Sequence, residues 1–272
     1  MRPHGHIHSA QVSDVKDRAC WTYVRDQDSR RAAVELLADG VRLGQRLGYL
    51  GEGPVEQLRL YLKALTDLDS LIEDGSLEIL SLSSPYRPGE PIDAYTQLAR
   101  YAASTDEARM GGYTGLRVVA EVTTPPAGGP RGHSAQTRWR SLTNRGIASR
   151  ALPALCCYDR RALPDPVSQE AVVAHPALNG PVMTVPFRLL TQPEGLVLAG
   201  EVDFFSAEAL GRLLALAAPK EGEIVLDLSE LDFIDHHGAF ILSEFAHRHR
   251  SLSIREAPSA MRRICELLDL RI

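Results

Sequence analysis

Asp235, His236, His237 and Gly238 are consecutive, so one carboxylate, two imidazoles and a glycine fall within four residues. They belong to the run EIVLDLSELDFIDHHGAF at residues 223–240, in which an apolar segment twice ends in an aspartate. This pattern predicts a strand, then a loop that holds the four residues, then the N-terminus of a helix. Because the first N–H groups of a helix are unpaired and carry partial positive charge, such a loop can hold or repel an anion.

The imidazoles of His236 and His237 allow three interpretations. The first is that they are ordinary polar loop residues of a domain that binds its partner without regulation. The second is that protonation at about pH 6.5 supplies a charge switch. The third is metal binding together with Asp235, His247 or His249, although these last two histidines lie further along the predicted helix.

Three residues of the first half of the chain could contact a ligand. Gly51 and Gly53 follow a predicted strand, where an α/β sheet can bind a ligand at its carboxyl edge, and a tight turn explains the same glycines. Glu121 lies late in a later strand and could act as a base or a metal ligand. Since no second carboxylate stands at a telling distance, a solvated or hydrogen-bonded strand-end residue is the simpler interpretation.

The sequence lacks the motifs of common catalytic sites. Neither the phosphate-binding GxxxxGK[ST] nor the GxSxG of a nucleophilic serine occurs. Cys156 and Cys157 fall in a predicted buried strand, where a thiol is more often a small inert apolar group than a nucleophile. We therefore predict no catalytic residue, no cofactor, no bound metal and no ATP hydrolysis, and expect a binding protein rather than an enzyme.

Composition narrows the class of protein and its partners. The 272 residues are 44% hydrophobic and 24% charged, as in a globular chain of two ordinary domains or one large one. A net charge of −5 provides no basic field for nucleic acid or an anionic membrane. The four cysteines lack zinc-type spacing, and neither an export signal nor a membrane-spanning run is found. We expect a cytoplasmic protein with reduced thiols and a disordered tail at residues 1–10.

Strands and helices alternate in the first part of the chain. Helix periodicity follows the polar turn 25–29 and places Val41 and Leu43 on the apolar side. A glycine- and proline-rich excursion is expected at residues 125–132. Strands are predicted at 20–24, 47–50, 77–82, 115–122 and 151–161, and further helices at 55–65, 92–104 and 138–150. This order predicts a three-layer α/β domain.

A proline-rich segment around Gly180 separates this part from a second one. Two strands there form a hairpin, and Ser206 is placed to cap the N-terminus of the helix that follows, with Asp203 just before it. The predicted strands are 184–190, 196–202, 224–227 and 252–255, and the predicted helices are 207–217, 239–249 and 258–268. The order is therefore β-β-α-β-α-β-α.

The first part resembles the MEDS sensory-domain family, which is related to the RecA-like core. The resemblance rests on RRAAVELLADGVRLGQRLGYLGEG at residues 30–53, on GLRVVAEV at 115–122 and on LCCYDRR at 155–161. It implies a RecA-like α/β domain that reads a small signal, here without a phosphate-binding loop.

The second part resembles STAS domains of the anti-sigma factor antagonist family. The resemblance rests on GEVDFFSAEAL at residues 200–210, on the run at 223–240 and on APSAMRRICELLDL at 257–270. It implies a mixed sheet packed with helices. In that family the loop reads Asp, two hydroxyl residues and Gly, and a partner kinase phosphorylates one hydroxyl, so that the partner is expelled. Here both hydroxyl positions are imidazoles.

These resemblances predict a disordered tail at 1–10, a MEDS-like domain at 11–176, a linker at 177–183 and a STAS domain at 184–272. We expect a bacterial regulator that senses a small signal and binds an anti-sigma factor of the serine-kinase type, or another STAS protein. The alternatives are a scaffold subunit of a larger sensory complex and a ligand-binding protein that oligomerises through its STAS domain. The expected contact residues for the partner are Asp203, Ser206, Asp235, His236, His237 and Gly238.

Overall fold

The computed structural model describes residues 5–7, 9–10, 18–82, 94–123, 153–162, 173, 175, 177–179, 186–192, 195–218, 223–249 and 251–270. Within these residues the chain forms two sheets, and each sheet contributes to hydrophobic cores of its own. The two sheets correspond to the two parts that the sequence predicts.

The first sheet is parallel throughout. Its strands are β1 Gly5–Ile7, β2 Arg18–Tyr23, β3 Arg46–Gly51, β4 Leu77–Ser81, β5 Leu116–Glu121, β6 Ala154–Asp159 and β7 Ala177–Asn179. They lie in the order β1-β7-β2-β6-β5-β3-β4, and every recorded pairing is parallel. Parallel neighbours need crossover connections, and in the described residues helices lie between β2 and β3, between β3 and β4 and between β4 and β5.

Both faces of this sheet are covered, which makes the domain three-layered. Four helices belong to it in the described residues: α1 Asp26–Arg42, α2 Val55–Tyr61, α3 Leu68–Glu73 and α4 Ala94–Met110. In β5, Val119 packs in the core on the side of α1, whereas Val118 and Ala120 pack in the core on the side of α4. An apolar run buried on both faces is typical of parallel strands, and the predicted α/β class is confirmed.

Several helix bounds differ from the prediction. α1 begins at Asp26, so most of the predicted turn 25–29 is its first turn, and Val41 and Leu43 are exposed at its C-terminal end. The predicted helix 55–65 ends at Tyr61. Beyond it the backbone forms tighter turns, in which the N–H groups of Leu62 and Leu65 bond carbonyls three residues back, and these turns bury both side chains. α3 was not predicted. α4 extends six residues beyond its predicted end.

The second sheet is mixed. β8 Phe187–Gln192 and β9 Gly195–Val202 form an antiparallel hairpin, and β10 Ile224–Ile234 and β11 Leu252–Arg255 add in parallel, in the order β11-β10-β9-β8. The two apolar segments predicted around Asp227 and Ile234 are one strand. The pairing of β10 with β9 shifts register at two places. These irregularities interrupt the alternation of buried and exposed residues, so the sequence does not show one continuous strand.

Three helices cover this sheet: α5 Phe204–Ala217, α6 His236–Arg248 and α7 Ser259–Leu267. Their apolar sides share one core with the strands, including Leu210, Leu242 and Met261. α5 and α6 pack against each other. A mixed sheet with helices, in the predicted order of elements, is therefore confirmed.

Two segments predicted to be irregular contain short strands. Residues 5–7 of the predicted disordered tail form β1, and residues 177–179 of the predicted linker form β7, which joins β1 to β2. Val173, within the predicted first domain, packs in the core of the second sheet. Strands of three residues are too short to show a hydrophobic period. The predicted helix 138–150 and the excursion 125–132 lie outside the described residues.

The cysteines and helices bear on two expectations from composition. Cys20, Cys156, Cys157 and Cys265 are free thiols and all are buried. Across the described segments, helices that combine the length and the apolar character needed to cross a bilayer are not found.

Candidate functional site

The ends of β9 and β10 bring two aspartates together. The strands run in parallel with Val202 opposite Ile234, so the residues that follow, Asp203 and Asp235, emerge side by side. The backbone N–H of Asp235 donates to the carbonyl of Val202 at 3.0 Å, which ties the two strand ends to each other.

Each aspartate caps the helix that it precedes. The Asp203 carboxylate accepts from the Ser206 N–H at 3.0 Å, and the Ser206 hydroxyl accepts from the Asp203 N–H at 2.9 Å, which is a reciprocal capping box. The Asp235 carboxylate accepts from the Gly238 N–H at 3.0 Å. The predicted cap Ser206 is therefore wrong: Asp203 is the cap, because its side chain reaches the third N–H of a helix that begins three residues earlier than predicted.

His236 and His237 are the first two residues of α6 and not loop residues, which corrects the prediction. The Nδ1 atom of His237 lies 3.4 Å from an Asp235 carboxylate oxygen. The His237 ring stands edge-on to Phe204, with centroids 4.7 Å apart, and lies 3.9 Å from the ring of His236. Phe204 in turn contacts Phe205, with centroids 5.3 Å apart. These four rings form a row across the N-termini of α5 and α6.

We call Phe204, Phe205, His236 and His237 the ring row. Its phenylalanines are unusually open, since Phe205 is 87% exposed and Phe204 60% exposed. Phe240, one turn after His236 on α6, is also exposed. Exposed apolar groups of this size, gathered on one surface, are typical of sites where another molecule docks.

Gly238 lets α6 begin directly against the strand ends. A β-carbon at this position would lie 2.7 Å from methyl or methylene carbons of both Ile234 and Val202, which are buried. Contacts of that length do not occur between carbon atoms, so a side chain there would push the helix away. The role of Gly238 is therefore to hold His236 and His237 close to Phe204.

The charge at the strand ends is fixed by the cap. Partial burial raises the pKa of Asp235, but the hydrogen bond from the Gly238 N–H and the contact with His237 outweigh it, and the pKa lies below its ordinary value. Asp235 is thus a carboxylate at neutral pH. The ionised Asp235 therefore stabilises the folded state. Its contribution is fully present above the unfolded-state pKa and is lost as the pH falls through the lower folded-state pKa.

Of the histidines that the sequence suggested for a metal site, only His236 and His237 lie close to Asp235. His247 and His249 lie at the far end of α6, where the Nδ1 atom of His247 is 2.8 Å from the Ser243 carbonyl and His249 packs on Phe245, so neither can join Asp235. Instead, ligand atoms of Asp235, His236 and His237 lie within 4.8 Å of one another. The positive end of a helix opposes a cation at this position.

The predicted ligand residues of the first domain lie at the carboxyl edge of its sheet. Gly51 ends β3 and Glu121 ends the adjacent β5, and a β-carbon on Gly51 would come within 2.6 Å of Leu58 and 3.0 Å of a Glu121 oxygen. Gly53 has a φ of +105° in the turn before α2. Both glycines are thus required by close packing and by a tight turn. Glu121 accepts a hydrogen bond from the Tyr49 hydroxyl at 2.7 Å.

Burial raises the pKa of Glu121, even though hydrogen bonds from Tyr49 and the Glu52 backbone act in the opposite direction. The neutral acid therefore favours folding: its contribution is complete below about pH 4.3 and is lost as the pH rises through the folded-state pKa.

Glu121→Gln, which stays neutral, should gain stability relative to the natural protein between pH 4 and pH 8. Urea unfolding at several pH values measures this, and a difference in unfolding free energy that does not change with pH would contradict it.

Tyr49→Phe removes a hydrogen bond that lowers the pKa of Glu121. The unfolding free energy of this variant should therefore depend on pH more steeply than that of the natural protein.

Acidic side chains occupy the place where a phosphate would otherwise be favoured. α1 begins directly after β2, and its first turn carries Asp26 and Asp28. Arg161, which follows β6, pairs with Asp26 and lies 2.6 Å from an Asp159 oxygen. Asp28 pairs with Arg25 at 2.9 Å, so both carboxylates of this turn already have partners and take the interaction with the helix N-terminus that a phosphate would otherwise make. The geometry therefore agrees with the lack of a phosphate-loop motif.

Phe204 and Phe205 of the ring row were not among the predicted contact residues, since the helix was expected to begin after them. A signal was present, because a pair of large aromatic residues next to a capping motif cannot both lie on the narrow buried side of a helix. Nothing in the sequence showed that Phe204 meets His237, 33 residues later.

Comparison with known families assigns both parts of the chain. The family profile described as MEDS, the methanogen/methylotroph DcmR sensory domain, matches residues 19–176. The profile described as Mlab, STAS domain, matches residues 187–272. No curated protein matches the chain. Among solved structures, the flagellar accessory protein FlaH from Methanocaldococcus jannaschii aligns with 67% of this chain and 76% of its own at 10% identity, with a TM-score of 0.39.

Proposed function

The chain belongs to the MEDS sensory-domain family and carries a C-terminal STAS domain, and on this basis we propose that it is an anti-sigma factor antagonist-like regulator. A STAS domain points to a signalling role through protein contact. In the finer proposal, the MEDS domain binds a small signal and the STAS domain binds an anti-sigma factor of the serine-kinase type. The protein acts by binding and not by catalysis.

The observation that carries this proposal is the ring row. It combines open aromatic side chains with polar imidazoles on two helix N-termini that Asp203 and Asp235 hold rigidly. Aromatic residues on a rigid support are typical anchors of protein interfaces, because they bury much area and lose little conformational entropy. The STAS resemblance implies a partner contact at this same turn, which supports the proposal.

The same surface explains why phosphorylation would not regulate this protein. A serine kinase needs an accessible hydroxyl, and both residues between Asp235 and Gly238 are histidines. Ser206 and Ser243 are buried, and Ser229 lies within β10, five residues before the end of that strand. We infer that control passes to the signal bound by the MEDS domain, which would shift the population of binding-competent molecules.

Capture from a host lysate tests this proposal. Full-length protein should retain an anti-sigma factor with a kinase-type domain, and Phe205→Ser should retain at least tenfold less, because truncating a central aromatic anchor typically costs more than about 1.4 kcal/mol. The readout is quantitative mass spectrometry of the retained proteins.

Leu60→Ser is the matched control, since Leu60 is similarly exposed but lies on α2 of the first domain. It should retain as much as the natural protein. If the protein retained by the ring row is another STAS protein, and light scattering shows higher oligomers, the scaffold alternative replaces the antagonist proposal. Equal retention by all three proteins would exclude the ring row as the docking surface.

A further inference from the structure

A cavity of about 160 Å³ lies on the α4 face of the first sheet. It opens between α4 and the edge formed by β3 and β4, with β5 beneath. Its floor is apolar and includes Leu80, Leu116 and Val118, whereas the arginines Arg46 and Arg100 are among its lining residues. The cavity is separate from the Glu121 cluster because it lies on the opposite face of the sheet: Leu116 and Val118 pack on the side of α4, whereas Tyr49, which donates a hydrogen bond to Glu121, packs on the side of α1.

The cavity owes its depth to a glycine in the middle of a strand. Gly48 of β3 lines the floor, and a β-carbon placed there would lie 3.5 Å from Val118, which is an ordinary contact. Its φ is not positive, so the backbone does not require glycine here. Glycine within a strand weakens the strand, and it often marks a place where another group approaches the backbone closely. At Gly48 the approaching group would be a ligand.

The lining chemistry favours an anion with an apolar body. Among the described residues of the lining, the charged groups are Arg46, Arg100 and Glu78, and the Arg46–Glu78 pair is loose, with 3.8 Å between nitrogen and oxygen. A guanidinium matches a carboxylate in shape and can donate two parallel hydrogen bonds. Tyr101 and Ser104 of α4 place hydroxyl-bearing side chains in the same wall.

The volume limits the size of that ligand. An apolar protein cavity of about 150 Å³ accepts benzene. The cavity beside Gly48 therefore accommodates a body of roughly that size, with its charged group directed toward the arginines at the more exposed side. We propose that this cavity binds a small monocarboxylate with a single apolar ring or short chain. The inference deepens the proposed function, on whose sensory role for the MEDS domain it rests.

The carboxyl edge of the sheet is the less suitable place for such a ligand. Burial there already raises the pKa of Glu121, and the charge of Glu52 acts in the same direction, so even with Arg30 nearby this edge disfavours a further carboxylate. The described lining of the cavity at Gly48 instead carries two arginines and one glutamate. The cavity also lies over the opposite face of the sheet, on the side of α4.

Isothermal titration of the full-length protein with benzoate and hexanoate tests the inference. At least one should bind with saturation at one site per chain.

Gly48→Val fills the floor and should weaken that binding at least tenfold, while Gly48→Ala should weaken it less. Arg46→Gln and Arg100→Gln should each weaken it several-fold but leave the weaker binding of neutral benzyl alcohol unchanged. Arg109→Gln, on the same helix outside the cavity lining, should bind as the natural protein does.

The inference is overturned if neither carboxylate binds, or if binding survives Gly48→Val in a protein whose circular dichroism is unchanged. Should Gly48→Val fail to fold, the arginine variants decide: equal losses for benzoate and benzyl alcohol, or no loss for benzoate, also overturn it. The titration needs no partner protein, so it separates the two proposals. Carboxylate binding without capture of an anti-sigma factor would contradict only the proposed function, and the converse would contradict only this inference.

Discussion

Gly200→Ala should lower the free energy of unfolding of the STAS domain by about 3 kcal/mol. Gly200 lies within β9 at a φ of +87°, a conformation in which alanine is strained by about 1–2 kcal/mol. A β-carbon there would also lie 2.4 Å from the Pro186 carbonyl oxygen and 3.3 Å from the Phe187 α-carbon. Both are backbone atoms, and the oxygen already accepts from the Glu201 N–H at 2.9 Å. The first strand of the domain would therefore have to move.

Gly112→Ala separates the two parts of this cost. Gly112 has a φ of +90°, almost the same as Gly200, but apart from its chain neighbours no described residue has an atom within 4 Å of a β-carbon built on it. Its substitution should therefore cost only about 1–2 kcal/mol, which is the conformational part. Urea unfolding followed by circular dichroism measures both costs, and hydrogen exchange of the β9 amides localises the change in Gly200→Ala. Equal costs at the two positions would show that the contact with Pro186 is relieved without loss.

The sheets were predictable because burial leaves a simple pattern in their strands. The run at residues 115–122 is apolar on both faces, and the only layer that can bury both faces of a strand lies between two layers of helices. β8 and β9 are separated by a short turn, which predicts an antiparallel pair. In each case a local pattern had a single structural solution, and the structure confirms it.

The starts of helices were less predictable, since the residues of a first turn carry little hydrophobic signal. α1, α5 and α6 each begin about three residues before the expected position. Asp203 and Ser206 are both good capping residues, and sequence does not decide which is the cap. Only the hydrogen bonds do so, because in this capping box each side chain accepts from the backbone N–H of the other residue, and Asp203 is the one that precedes the helix.

The candidate site was therefore known by its residue types and not by its geometry. Asp235, His236, His237 and Gly238 were recognised, but their contact with Phe204 depends on the parallel pairing of β9 and β10. The cavity at Gly48 likewise depends on which face of β3 meets α4. Both features are juxtapositions of distant segments, and no local pattern specifies them.

His237→Glu should weaken binding of the anti-sigma factor about 100-fold, or about 2.7 kcal/mol. The variant places a permanent negative charge in the middle of the ring row, beside the Asp235 carboxylate. A partner that docks there must then desolvate an unpaired charge, which is the effect that a phosphate would have in the STAS family. Surface plasmon resonance with the captured partner and full-length protein measures the change.

The weaker binding of His237→Glu should result from the added negative charge and not from the loss of the imidazole. His237→Gln removes the ring but adds no charge, and it should lower the affinity less than tenfold, through lost contact with Phe204 alone. The fold should tolerate His237→Gln because it adds no charge, and His237→Glu because a negative charge in the first turn of α6 interacts favourably with the helix dipole, by about 0.3–1 kcal/mol. Equal losses in the two variants would mean that the imidazole itself makes the contact. Unchanged affinity in His237→Glu would mean that the partner docks elsewhere, since a docking surface centred on these rings cannot accept an added charge without cost.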